Sequence, residues 1–440
     1  MNKFNDPHSA IRSLMLLVVF LFSGCQSSSM QVSPVSSTIV PDLTIAIENT
    51  RTATLVPTQT LSPSPMVTET LEPPLPTAFY SGPFKMIVTI KEILSGHLEG
   101  LVSTSDDRIW LVTNQDVGKI EGTTLTVYLK EYKGKFAGID SNSRVWIVNN
   151  DFSQISAWDG KTWTSYDGAA GWTSLTDESY PYVFGGQSDM LGRVWFATSK
   201  DVRVFDGGSW TVFNMQELGM APPTYEDLQT RLSINIFQSG TVWVTECDWG
   251  GPGPFGGRGV RWFENGIWLG TSSPVASGCA TAIAEDSMGN IWVGLDSNLW
   301  RYEPASDQWQ EFSPPESPVS DMRFGFFDSL AIDSTDSLWA TLVLCGGASC
   351  FGKSVLYRFK DNIWTQVGAA SDYDSGFLGP FFDKNGNTWM NWTGGIYQIE
   401  RDVPQLISPL APRFAVQDQK GKLWLVADYE GQDMLWLLEE

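Results

Sequence analysis

Glu285-Asp286-Ser287-Met288-Gly289-Asn290-Ile291-Trp292-Val293-Gly294 reads as the end of one strand, a tight turn and the start of the next strand. Asp stands six residues before Trp and Gly three before it. The Asp carboxylate bonds back to the turn's own backbone, and Gly accepts the positive φ that closes a hairpin without a Cβ clash. The stretch recurs as Asp189…Gly192…Trp195, Asp383…Gly386…Trp389 and Asp418…Gly421…Trp424, with looser copies ending at Trp110, Trp146, Trp243 and Trp339. From Trp110 onward the marker tryptophans are 36, 49, 48, 49, 47, 50 and 35 residues apart. A period of that size with four strand signals per unit is the signature of a β-propeller blade.

The unit around Trp292 shows the four parts: Thr281–Ala284, Ile291–Gly294, Asn298–Tyr302 and Gln308–Phe312. Third-to-fourth strand hairpins carry their own turn chemistry in Trp158-Asp-Gly-Lys-Thr-Trp163, Phe205-Asp-Gly-Gly-Ser-Trp210 and Glu264-Asn-Gly-Ile-Trp268. Residues on either side of the marker Trp are apolar in nearly every unit, as with Ile291 and Val293 or Val194 and Phe196. Strand neighbours point to opposite faces, so both faces of this strand are apolar, as stacked blades require. First strands favour small residues (Ala137-Gly138, Ala282, Ala284, Ala331, Ala415), which suit a crowded central axis. The fold expected is all-β: an eight-bladed propeller of four-stranded antiparallel blades. The last unit lacks one strand, and residues 84–91 ahead of the first repeat are expected to complete it and close the ring.

Three segments divide the chain. Residues 1–24 form a signal peptide, with Lys3 and Arg12 ahead of an apolar core too short to span a bilayer. Its end, Leu21-Phe22-Ser23-Gly24-Cys25, resembles the lipobox of bacterial lipoproteins, which implies lipidation of Cys25 and an extracytoplasmic, lipid-anchored protein whose first partner is the bilayer; a monomer is expected. Residues 25–78 are a Ser/Thr/Pro-rich stalk that buries too little to fold. The propeller occupies 79–440. Its Asp-x-x-Gly-x-(Ile/Leu/Val)-Trp turns and aromatic-Asp-Gly-x-x-Trp hairpins resemble the two-component regulator propeller repeat, a unit of periplasmic sensor domains that also occurs in secreted proteins without a kinase. That resemblance implies the fold and leaves activity open.

The composition narrows the function. Lys and Arg total 28 against 50 Asp and Glu, a formal charge of −22 that repels phosphate backbones and argues against nucleic acid. Only His97 remains after the leader, so Ser-His-Asp catalysis and multi-His metal sites are poorly supported, and no cofactor or metal is expected. Virginiamycin B lyase, a propeller with similar repeats, is thought to use a catalytic His that has no counterpart within these blades. Asn385-Gly386-Asn387-Thr388-Trp389 approaches the Asp-box of sialidases, which is a structural turn. The oxygens of Asp383, Asn385 and Asn387 also alternate like calcium ligands, though without the distal Glu of a helix–loop–helix site.

Extra length concentrates in inter-blade segments 167–184, 214–231, 313–324 and 368–377, and in second-to-third strand segments 246–258 and 344–353, all of which emerge at one end of a propeller. Binding is expected there. Trp172, Tyr180, Tyr225, Asp248, Trp249, Arg323, Asp372 and Tyr373 are the candidates, because rings stack on sugar faces or cations and carboxylates accept from hydroxyls. Four cysteines remain besides Cys25; Cys247–Cys279 and Cys345–Cys350 are the favoured disulfide pairs, as staples of long loops. The reading is a non-enzymatic recognition module for a carbohydrate, peptide or protein ligand. The alternative is a polysaccharide lyase or glycoside hydrolase working through Asp, Glu and Tyr in the central cleft.

Overall fold

The computed structural model describes residues 80–439 except 105–107, 177–180, 222–228, 238, 251–252, 347–348, 373–377, 393 and 419, and excludes the side chains of 253, 255, 349–352, 371–372 and 378. Cys25, the leader and the 25–78 segment therefore lie outside the described residues.

Eight antiparallel sheets follow one another along the chain, and each marker Trp sits on the second strand of one of them. Numbered by marker from Trp110 to Trp424, blades 1 to 7 have four strands each. Blade 8 takes Ala411–Gln417, Leu423–Tyr429 and Gln432–Leu438 from the C-terminus and Phe84–Thr89 from the N-terminal side, with the two-residue Tyr80–Ser81 as an added edge. Met86 pairs with Trp436 and Thr89 with Met434. Phe84 is fully buried, its ring edge-on to Trp389 of blade 7 at 5.7 Å. The ring thus closes as expected. Helical structure among the described residues is confined to two 3-10 turns, Ile90–Glu92 and Gly168–Ala170.

The repeated residues build the space between blades. Trp292 packs against Phe359 of blade 6 at 5.7 Å, Trp146 against Phe196 of blade 3 at 5.3 Å, and Trp195 against Phe263 of blade 4 at 5.2 Å. Ile291 and Val293, on the other face, pack into the core that Trp243 and Trp262 form from blade 4. First strands of successive blades meet around the axis. There Gly138 lies so close to Gly185 that a Cβ would come within 2.2 Å of the Gly185 carbonyl oxygen.

Segments 246–258 and 344–353, expected as loops, are largely strand. Blade 4 runs its second and third strands as Val242–Gly250 and Gly253–Glu264, and blade 6 as Leu338–Gly346 and Ser349–Lys360. Backbone pairing continues out along the described residues of both hairpins, and other partners take groups the ladder leaves open: the Gly257 carbonyl accepts from Gly278 at 3.0 Å, and the Arg258 N–H donates to the Glu246 carboxylate. Between these two projecting hairpins lies blade 5, whose strands are five or six residues long.

Candidate functional site

The chain direction fixes which residues share an end. First strands run toward the tight Asp turns, so their N-terminal halves, the inter-blade segments and the projecting hairpins lie together at the opposite end. Side chains alternate across the second strand of blade 4: Cys247 and Trp249 face one way, Glu246 and Asp248 the other. The two faces hold different chemistry.

On the first face, a pocket of about 180 Å³ is lined by Arg231, Ser233, Cys247, Trp249, Thr281 and Phe326, with Ala280, Phe327 and Asp328 completing the wall. It draws on blades 4, 5 and 6. The blade 4 hairpin leans over the entry of blade 5, and its Trp249 ring meets buried Phe326, on the first strand of blade 6, edge-on at 5.5 Å. The Arg231 guanidinium carbon lies 4.4 Å from the centroid of the Trp249 ring. Cys247 is disulfide-bonded to Cys279, with the Cα atoms 4.4 Å apart, which ties the hairpin of blade 4 to the entry of blade 5. Cys345 is disulfide-bonded as well; the Cys350 side chain lies outside those described.

On the other face, Arg258 donates to both carboxylates, through Nη2 to Glu246 Oε1 at 2.6 Å and to Asp248 Oδ1 at 2.8 Å, and through Nη1 to Asp248 Oδ2 at 2.9 Å. The Thr230 hydroxyl donates to Asp248 at 2.8 Å. Burial pushes the Glu246 carboxyl up to about 8, against the pull of the Arg258 charge and with the neighbouring Asp248 carboxylate adding to the rise. One guanidinium thus serves two buried carboxylates, which favours a proton held on the pair. This cluster is not part of the pocket lining.

The sequence candidates separate accordingly. Trp249 lines the pocket. Asp248 belongs to the buried cluster behind it. Trp172 is fully buried, with Arg203 stacked on it at 4.1 Å, and pins the segment between blades 2 and 3 to the core. Arg323 is exposed on the first strand of blade 6, paired in register with Cys345. Asp372 ends the fourth strand of blade 6, and its side chain is outside those described, as are Tyr180, Tyr225 and Tyr373 altogether. Arg231, Thr281, Phe326 and Asp328 were not singled out. They sit on first strands; Arg231 closes the 214–231 segment where binding is expected, first strands are otherwise expected to pack the axis, and no local motif sets the four apart.

A second cleft, of about 400 Å³, opens at the tight-turn end between the first strands of blades 1 to 4. Phe136, Phe184 and Ile236 give it an apolar wall, and Phe184 is 59% exposed. The Asp383 turn, weighed for calcium, spends its carboxylate on N–H donors: the backbones of Asn385 and Asn387, the Asn387 amide and the Trp389 indole, all at 2.8–2.9 Å. No cluster of His, Cys, Asp and Glu that would hold a metal occurs among the described residues. No helix among them is long and apolar enough to cross a membrane.

No described protein family matches the chain, and no curated protein does. Solved structures do resemble it. The Dos1 propeller aligns over 81% of this chain and 95% of its own, at 8% identity and a TM-score of 0.50. The extracellular domain of the hybrid two-component system BT3049 from B. thetaiotaomicron aligns over 79% of this chain and 59% of its own, at 13% identity and a TM-score of 0.34. PorZ, a surface component of the type-IX secretion system of Porphyromonas gingivalis, aligns over 78% and 56%, at 16% identity and a TM-score of 0.37. The chain spans less than two thirds of the length of these last two. At such identities the likeness is one of fold alone.

Proposed function

We propose that the chain is an extracytoplasmic recognition module, lipid-anchored through Cys25 on the 25–78 stalk, that binds a carbohydrate, peptide or protein ligand at its long-hairpin end. The observation that carries this reading is the pocket closed by Trp249, Arg231 and Phe326. The blade 4 hairpin, which departs from the repeat, meets the first strand of blade 6 there, over a disulfide, and a stacked cation and hydroxyls stand on the concave wall. Rigid elements supply the walls, as a preformed binding site requires.

One observation favours the enzymatic alternative. Glu246 and Asp248 both accept from Arg258 Nη2, at 2.6 and 2.8 Å, which sets a pair of carboxylates beside one guanidinium, the residue types a glycosidase uses. Against it, Glu246 is fully buried and Asp248 is 6% exposed, with both carboxylates already engaged. Glycan and peptide arrays probed with the full chain, together with product analysis of each bound glycan, separate the two. Retention without cleavage is expected. Cleavage lost in Glu246→Gln would replace the binding reading with the hydrolase.

A further inference from the structure

Arg231 differs from the arginines that carboxylates neutralise. In a chain with 50 acidic residues, Arg144, Arg193, Arg203, Arg258 and Arg358 each pair with a carboxylate at 2.6–2.9 Å. Arg231 has no carboxylate partner among the described residues. It is exposed, stacked on Trp249, and held along one edge by Gln229 Oε1, which accepts from Nε at 3.3 Å and from Nη2 at 3.1 Å. Stacking and the Gln229 contacts fix the plane of the guanidinium and leave Nη1 and one Nη2 hydrogen for a partner. A guanidinium so placed matches a carboxylate in plane, with two parallel N–H donors.

The rest of the wall adds to this. The Thr281 hydroxyl is buried and has no hydrogen-bond partner among the described residues, a cost that a ligand group would relieve. Ser233 supplies a second hydroxyl and Asp328 a carboxylate. Beside that carboxylate, an anion carrying its own hydroxyl or ammonium donors is accommodated.

Building on the recognition reading above, we infer that this pocket is a carboxylate-binding site for a molecule the size of one sugar ring or one amino acid. Arg231 is the anion contact, Trp249 holds it in plane, and Asp328 and Thr281 meet the ligand's donors. The shared chemistry is a carboxylate beside a hydrogen-bond donor, found in an acidic sugar and in a free amino acid.

Calorimetric titration of the full chain with glucuronate, L-serine, glucose and inorganic phosphate tests this directly. Saturable binding of glucuronate, of serine, or of both is expected, with glucose and phosphate at least tenfold weaker. Binding of only one carboxylate identifies its source as the sugar or the amino acid. Arg231→Gln should weaken that binding at least tenfold and Arg231→Lys less, with melting temperatures unchanged because the side chain is exposed. Absence of binding by both carboxylates overturns the inference, as does glucose binding equal to glucuronate and indifferent to Arg231→Gln. Neither result touches the recognition reading, which the arrays decide independently.

Discussion

Asp286 shows what the recurring turn does. Its Oδ1 accepts from the backbone of Met288 at 3.0 Å and of Asn290 at 2.9 Å, while Oδ2 accepts from the Trp292 indole at 3.0 Å. The carboxylate therefore shapes the turn and also satisfies the indole N–H of the ring that fills the space toward blade 6. Blades 2, 3, 6, 7 and 8 repeat the Asp–indole bond at 2.8–3.3 Å. The copies at Trp146 and Trp339 read as loose because Ser143 and Asp336 replace Gly, yet both adopt the same positive φ, 60° and 57°. In blade 4, Phe237 stands where the Asp would, and the Trp243 indole nitrogen is buried with no hydrogen-bond partner among the described residues. The six-residue spacing was legible in the sequence; the indole bond that explains it was not, because it joins side chains across a turn. Trp292→Ala should cost about 3–5 kcal/mol for a large buried ring. Asp286→Ala, which leaves the indole and two turn amides without their acceptor, should cost about 2–4 kcal/mol. Denaturant titration measures both, and a loss under about 1 kcal/mol in either would count against these roles.

At the scale of elements, strand assignment from alternation and turn chemistry served well where the repeat is kept. The Asp206 turn is one such place, its carboxylate accepting from Gly208 at 2.8 Å and Ser209 at 2.6 Å. It failed where strands run past the repeat, since the Gly/Pro-rich stretch after Trp249 reads as loop while Gly253, Pro254 and Gly256 pair in register with Gly250, Trp249 and Asp248. Which side chains meet over blade 5 was hidden for a related reason. Trp249 and Phe326 are distant in sequence, and only the reach of the blade 4 hairpin across blade 5 to the first strand of blade 6 brings them together. The buried pair in blade 4 carries a pH signature. Glu246 titrates near 8 in the folded chain, above the 4.5 of an unperturbed Glu, so the folded state holds a proton that the unfolded state has released. Its contribution to stability is complete below pH 4.5 and is lost as pH rises toward about 8. Glu246→Gln, which mimics the protonated form, should therefore show a flatter fall in melting temperature across that window than the parent chain. Parallel curves would mean that Glu246 is ionised in the fold.

Over the whole molecule, closure and asymmetry have different origins. The closing strand was legible from arithmetic, because the eighth unit is one strand short and residues 84–91 had no other partner. The structure seats Phe84–Thr89 against Gln432–Leu438 and adds the Lys85–Glu439 ion pair at 2.7 Å. A chain beginning at Glu92 loses that strand and exposes the core of blade 8, so it should fail to fold cooperatively; an unchanged melting curve would refute ring closure as a condition of stability. The asymmetry between blades is what sets the proposed site apart. Residues that repeat carry the scaffold, and residues that do not, on blades 4 to 6, form the pocket. The most direct test of that division is glucuronate and L-serine affinity measured by calorimetry at a temperature where Trp292→Ala and Arg231→Gln are both folded. Near-parent affinity in Trp292→Ala, with at least tenfold loss in Arg231→Gln, is the predicted result. Equal losses in the two variants, or a loss only in Trp292→Ala, would contradict it.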